Sequence, residues 1–197
     1  LRRMLAVAQW RRGRLLIAQR TLRHVLTLAP DDIEGLRMQG WLALELGNKA
    51  LAVEAVRALV TRLPGDSPAQ IQAAFIFTRA ELIAEAQGWA ERAVAHAPDS
   101  AEAWRALSEV RLRQRRLADA ELAVKAALRL APDHVDALRQ MGWVMLSADR
   151  PAQAQLAFLR AVECKPDNPA PRLELAEAQS RTGNFAAALA GVDALLE

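Results

Sequence analysis

Four arginines, Arg3, Arg37, Arg105 and Arg139, stand at multiples of 34 residues from one another, and an aromatic ring follows at a fixed four-residue offset along the same register: Trp41, Phe75 and Trp143. Arg11, Arg79, Arg113 and Arg181 form a second arginine column with the same period. Guanidinium forks bind carboxylates bidentately and ring faces supply apolar contact. Such a combination suits an acidic or carboxylate-bearing peptide. Nothing else in the chain assembles into reactive chemistry. His24, His96 and His134 fall at three different points of the period and lack metal-ligand spacing. The pair Asp31-Asp32 resembles a carboxylate dyad but sits where a loop and helix cap belong. Cys164 shares its register with no histidine, and a free thiol of this kind is more often a buried structural residue than a nucleophile. No glycine-rich phosphate loop is present. The sequence therefore predicts no catalytic residue, no metal and no cofactor.

The elements that must position these columns are set by the same period. Pro30, Pro64, Pro98, Pro132 and Pro166 are each 34 residues apart, and each is followed by a capping pair: Asp31-Asp32, Gly65-Asp66, Asp99-Ser100, Asp133-His134 and Asp167-Asn168. Proline ends one helix and the next residues offer acceptors to the unpaired N–H groups of another. His134 is the weakest cap of the five by residue type. Acids follow in the first turn at Glu34, Glu102 and Asp136. Apolar residues between the prolines recur at helical spacing, and no segment alternates as a strand would.

Within each period two columns are small. One reads Ala6, Gly40, Ala74, Ser108, Gly142 and Ala176; the other is alanine throughout, at 18, 52, 86, 120, 154 and 188. A third column, between the two helices, reads Gly13, Gly47, Glu81, Arg115, Asp149 and Gly183. Glycine there accommodates a left-handed turn; where it is absent, the turn is expected to be made differently or the helix to run on. On these residues the chain resembles the tetratricopeptide repeat, a 34-residue antiparallel helix pair. The resemblance implies an all-α fold, a right-handed superhelix (α-solenoid) of about six helix pairs with the first and last incomplete. Its units are 1–32, 33–66, 67–100, 101–134, 135–168 and 169–197, forming a single array. The unit 67–100 departs furthest, with Gln70 where the family favours an aromatic and Gly88 inside its second helix.

In that family the stripe carrying the arginine and aromatic columns lines the concave groove. The resemblance thus implies a non-enzymatic scaffold that binds a peptide or protein segment through Arg3, Arg37, Trp41, Phe75, Arg105, Arg113, Arg139 and Trp143. Two of the family's ligand chemistries are missing: there is no lysine and asparagine clamp for a terminal carboxylate. Met38, Gln72, Ala106, Gln140 and Glu174 replace an asparagine ladder. A local reading competes, because Glu34, Glu102 and Asp136 lie three residues before Arg37, Arg105 and Arg139 and can neutralise them on the helix surface. This local reading ranks first for the arginine column itself.

Charge adds a rival. Residues 1–29 hold seven arginines and no acid, in a chain of net charge +3. Basic residues do not track one continuous stripe, so nucleic acid ranks well below protein as a partner. No stretch is apolar and long enough to span a membrane. Arginine outnumbers lysine 23 to 3, a bias associated with GC-rich bacterial genes. Bacterial cytoplasm and periplasm stay equally open. The chain starts within the first helix of one unit and stops within the second helix of another, and reads as a fragment of a longer protein. A second expectation follows from this, a substrate-recruiting arm of a larger bacterial enzyme such as a protein glycosyltransferase or sulfotransferase. End-to-end homo-oligomers would cover Leu189, Val192 and Leu196.

Overall fold

The prolines and the small columns place helix boundaries at a constant register, and the computed structural model, which describes residues 2–193, follows them. Up to His96 the order is α1 (Arg2–Arg11), α2 (Leu15–Leu28), α3 (Ile33–Glu45), α4 (Lys49–Arg62), α5 (Ser67–Arg79) and α6 (Ile83–His96). From Ala97 onward it is α7 (Ala101–Arg113), α8 (Leu117–Leu130), α9 (Val135–Ser147), α10 (Pro151–Cys164), α11 (Pro169–Arg181) and α12 (Phe185–Asp193). These are two compact units of three helix pairs, and all described regular structure is helical. The first helix of every complete pair begins where the sequence places a new 34-residue unit.

Helix pairs close on the two small columns. Ala18, Ala52, Ala86, Ala120 and Ala154 are fully buried, as are Ala6 and Ala74 opposite them. Where serine replaces the small apolar residue, its hydroxyl is satisfied: Ser108 Oγ donates to the carbonyl of Ala120 at 2.8 Å. Gly142 is under the tightest restriction, since a Cβ there would lie 2.3 Å from the Phe158 ring. Ala188, in α12, is only half-buried, and Leu189 is 63% exposed. Val192 is half-buried, while Leu196 lies outside the described residues.

The turns correct one expectation. Glu81, Arg115 and Asp149 adopt φ of 68°, 63° and 57°, close to the 70°, 73° and 80° of Gly13, Gly47 and Gly183. All six turns carry the same pair of bonds, illustrated by Arg115 N–H to Leu112 O at 3.0 Å and Arg116 N–H to Arg111 O at 3.0 Å. The helix-end carbonyls need those donors, so the geometry persists without glycine and the side chain bears the strain. A left-handed non-glycine residue costs roughly 1–2 kcal/mol, less for aspartate. Arg115→Gly is therefore expected to stabilise the second unit by about 0.5–1 kcal/mol, and Asp149→Gly by less. Urea denaturation midpoints measure both; a lower midpoint for Arg115→Gly would contradict this account.

The caps correct a second. His134 does cap its helix: Ala137 N–H donates to its Nδ1 at 3.2 Å, which leaves the ring proton on Nε2, 3.1 Å from Glu102. Asp66, Ser100 and Asn168 cap in the same way through Ala69, Ala103 and Ala170 N–H. Asp32 alone of the five makes no side-chain cap; its carboxylate accepts from Arg3. Gln70 also proves regular. Its Nε2 donates to Pro64 O at 2.6 Å, as the Trp104 indole donates to Pro98 O at 2.8 Å. A primary amide thus reproduces the tryptophan's bond, and His96 Nδ1 completes it at Gln70 Oε1, 3.0 Å away.

Candidate functional site

The arginine column projects from the first helices α1, α3, α7 and α9, and each member meets a carboxylate. Arg3 reaches Asp32 at 2.6 Å. Arg37 reaches Asp66 at 2.5 Å and has Glu34 at 3.4 Å. Asp32 and Asp66 belong to the cap of the following helix pair, so these bridges join successive units rather than neighbouring turns of one helix. Asp66 therefore serves two roles, accepting from Ala69 N–H and from Arg37.

In the second unit Arg105 binds Glu102 through Nε at 2.9 Å and a second guanidinium nitrogen at 2.6 Å, with Glu109 4.0 Å away. Burial would lower its pKa, but the hydrogen bonds and charge of Glu102, aided by Glu109 and Asp136, raise it overall. Arg139 makes a fork with Glu174 on α11 at 2.8 and 2.6 Å and a further bond to Asp136 at 3.0 Å. Hydrogen bonding to Glu174 is the chief reason its pKa is raised, against the lowering effect of burial. The Trp143 indole also donates to Glu174, at 3.0 Å. Glu174, only 8% exposed, thus ties α9 to α11 through two residues of the columns. Sequence reasoning missed it because the residue appeared only as a departure from an asparagine ladder. Its signal was an acid in a column otherwise filled by neutral residues, one unit beyond Arg139.

The aromatic column divides. Phe75 is 5% exposed and belongs to the core of α5. Trp143 packs edge-on against Phe158, 5.9 Å between centroids at 75°. Trp41 is 37% exposed and lies tilted on Phe75, 6.3 Å away. Among the described residues no acceptor meets its indole N–H. The second arginine column divides too: Arg181 pairs with Glu177 at 2.8 Å. Arg113 is exposed and, among the described residues, has no acid within ion-pair distance.

The remaining reactive candidates are placed apart. His24 contacts Arg2, His96 contacts Gln70, and His134 is a cap. Cys164 is exposed, contrary to the expectation of a buried thiol, because it ends α10 beside the Asp133 carboxylate, 3.8 Å from Sγ. Among the described residues no group of three His, Cys, Asp or Glu side chains could hold a metal, and no helix is long and apolar enough to cross a membrane.

Within each unit, helix pairs stacked on one another, joined by ion pairs and presenting first-helix side chains define a helical-repeat scaffold. The tetratricopeptide-repeat profile matches residues 3–67 and 77–135, and the chain belongs to that family. Residues beyond 135 carry the same pattern, with Gly142 and Ala154, and then Ala176, in the small columns. No curated protein sequence matches. Several solved structures share the fold. TTC0263, a thermophilic tetratricopeptide-repeat protein from Thermus thermophilus, is 22% identical, with 90% of this chain and 96% of that chain covered and a TM-score of 0.80. PilW, a type IV pilus biogenesis factor, is 18% identical over 98% of this chain and 90% of its own, with a TM-score of 0.78. The human IFIT1 dimer with m7Gppp-AAAA is 20% identical over 92% of this chain but only 46% of that one, with a TM-score of 0.78.

Proposed function

We propose that this protein-interaction scaffold holds segments of a partner protein against its first helices, Trp41 being the contact group within the first unit and, independently, Arg113 within the second. Membership of the tetratricopeptide-repeat family supports the scaffold role. The observation that carries the assignment of contacts is the division within the columns: Arg3, Arg37, Arg105 and Arg139 are neutralised by carboxylates, while Trp41 keeps an open ring face and N–H. An exposed tryptophan on a buried ring is a typical binding anchor, and an unpaired guanidinium selects carboxylate-bearing segments. Of the first column, Arg3, Arg37 and Arg139 act as links between repeats, while Arg105 is held by Glu102 on its own helix.

Affinity capture from a bacterial lysate with wild type, Trp41→Ala and Arg113→Glu, read by mass spectrometry, tests this. A protein held by wild type and depleted at least about tenfold by either variant, a loss of about 1.4 kcal/mol, is the expected result. Equal retention by all three would refute the placement. Both residues are exposed enough that each variant should keep the wild-type circular dichroism.

A further inference from the structure

The second unit carries a cavity that the ion-pair columns do not explain. It opens between α7 and α8, with a volume of about 350 Å³, and its floor is the Trp104 and Leu107 side chains. Its walls are Ala123, Ala126 and Leu122, and Arg129 stands at the rim. Small residues on α8 create the space: Ala123 and Ala126 reach too short a distance from their helix to fill it. One repeat later Leu138 takes the place of Trp104 and Met145 that of Arg111, and both are 3% exposed, while Leu156, in the place of Leu122, is 70% exposed.

Its chemistry is legible. Leu122 is 66% exposed and offers an apolar edge beside the indole. The Trp104 ring is fixed by its bond to Pro98 O, so it forms a pre-set surface rather than a mobile one. Arg116 is paired with Asp119 at 2.6 Å, and Arg111 is bonded to Gln114. Arg129 has no ionic partner among the described residues. A leucine-and-indole slot with net positive charge at its mouth is complementary to an apolar side chain flanked by carboxylates. The volume sits at the small end of ligand clefts, roughly 300–1,000 Å³, enough for one or two side chains.

We propose that this α7–α8 slot is a second docking site, occupied by an acidic partner segment that inserts one leucine-sized or aromatic side chain between Trp104 and Leu122 and sets a carboxylate on Arg129. The site uses none of the residues assigned above to the first-helix stripe. A scaffold with two independent sites can hold two segments at once.

The test uses the whole chain and three synthetic heptapeptides: one of leucine and aspartate, one with lysine for each aspartate, and one with alanine for each leucine. Indole N–H resonances of ¹⁵N-labelled protein report the location, since Trp104 lines the slot while Trp41 and Trp143 do not. The leucine–aspartate peptide should shift Trp104 and leave Trp41 unmoved, and the two control peptides should not. Leu122→Glu and Arg129→Glu should each weaken this binding at least about tenfold. Both positions are exposed, so the fold is kept. A Trp104 resonance unmoved by every peptide, a response equal for all three, or a response that survives Arg129→Glu overturns the proposal. The first-helix stripe is tested separately by capture with Trp41→Ala and Arg113→Glu, so its failure and failure of the slot are distinguishable.

Discussion

Arg139→Ala is expected to lower the stability of the second unit by about 3 kcal/mol, the low end of the range for breaking a buried ion pair by removing one partner. The charge left behind is Glu174, 8% exposed and deprived of its fork of two bonds. Only the Trp143 indole, 3.0 Å away, would then offset it. Arg3→Ala is the control: Arg3 is 45% exposed and its pair with Asp32 should contribute below about 1 kcal/mol. Arg139→Met combined with Glu174→Met should recover much of the loss, because the uncompensated charge is removed with its partner.

The loss should also be local. In a repeat array stability is carried by each unit and its nearest neighbours. Helix α12 has no buried residue among those described, and Glu174, the residue left unpaired, lies on α11, which packs against α10 and α12. Hydrogen exchange should therefore accelerate in α11 and α12 while α1 to α6 keep their protection. Equal effects of Arg139→Ala and Arg3→Ala on urea denaturation would show that the Glu174 tie carries no special weight.

Gly142→Ala is the second large effect, a net loss of about 2 kcal/mol. A methyl at this position meets Phe158 Cε1 at 2.3 Å and Cζ at 2.4 Å. Phe158 is fully buried and held edge-on against Trp143, so its ring has no free direction and α9 must move away from α10. Overpacking of this kind costs roughly 1–3 kcal/mol or more, and alanine's helix propensity returns only about 1 kcal/mol of it. Gly40→Ala should be milder. There the nearest atoms are the tip of Ile76, at 2.7 Å, and the Gln72 amide, at 2.9 Å, both on side chains with rotamer freedom. Shortening the obstacle, in Gly142→Ala with Phe158→Leu, should restore part of the loss. A Gly142→Ala midpoint equal to wild type in thermal or urea unfolding would mean that the ring yields.

The helix boundaries were readable because proline and small-residue columns act through sterics, which a single sequence displays directly. Turn geometry was misread at Glu81, Arg115 and Asp149 because residue preference was weighed above the demand of the helix-end carbonyls for donors. Residue type also misled for the caps: Asp32 is the better cap by type yet makes none, while His134 does cap its helix. At the candidate site, the column of arginines and its partners three residues away, Glu34, Glu102 and Asp136, were visible, but the further partners of Arg3, Arg37 and Arg139 were not. Asp32, Asp66 and Glu174 lie 29 to 35 residues along the chain from the arginines they bind. Such spacing becomes contact only when successive helix pairs stack, which periodicity alone does not orient. Exposure separates Trp41 from Phe75 although both occupy one column, because burial depends on what the adjacent helices place over each ring.

The ion pairs between repeats also bear on what could be rearranged. Arg3 and Arg37 require an aspartate at the next cap, whereas Arg139 requires a glutamate within the next first helix. Moving the segment 135–168 ahead of 33–66 would set Arg139 against Met38 in place of Glu174. Cutting and reordering units of equal length would thus preserve every proline and alanine and still leave charges without mates. The repeats share one backbone plan, but their order is written in the side chains that cross from each to the next, so this array should resist the modular shuffling that its period invites.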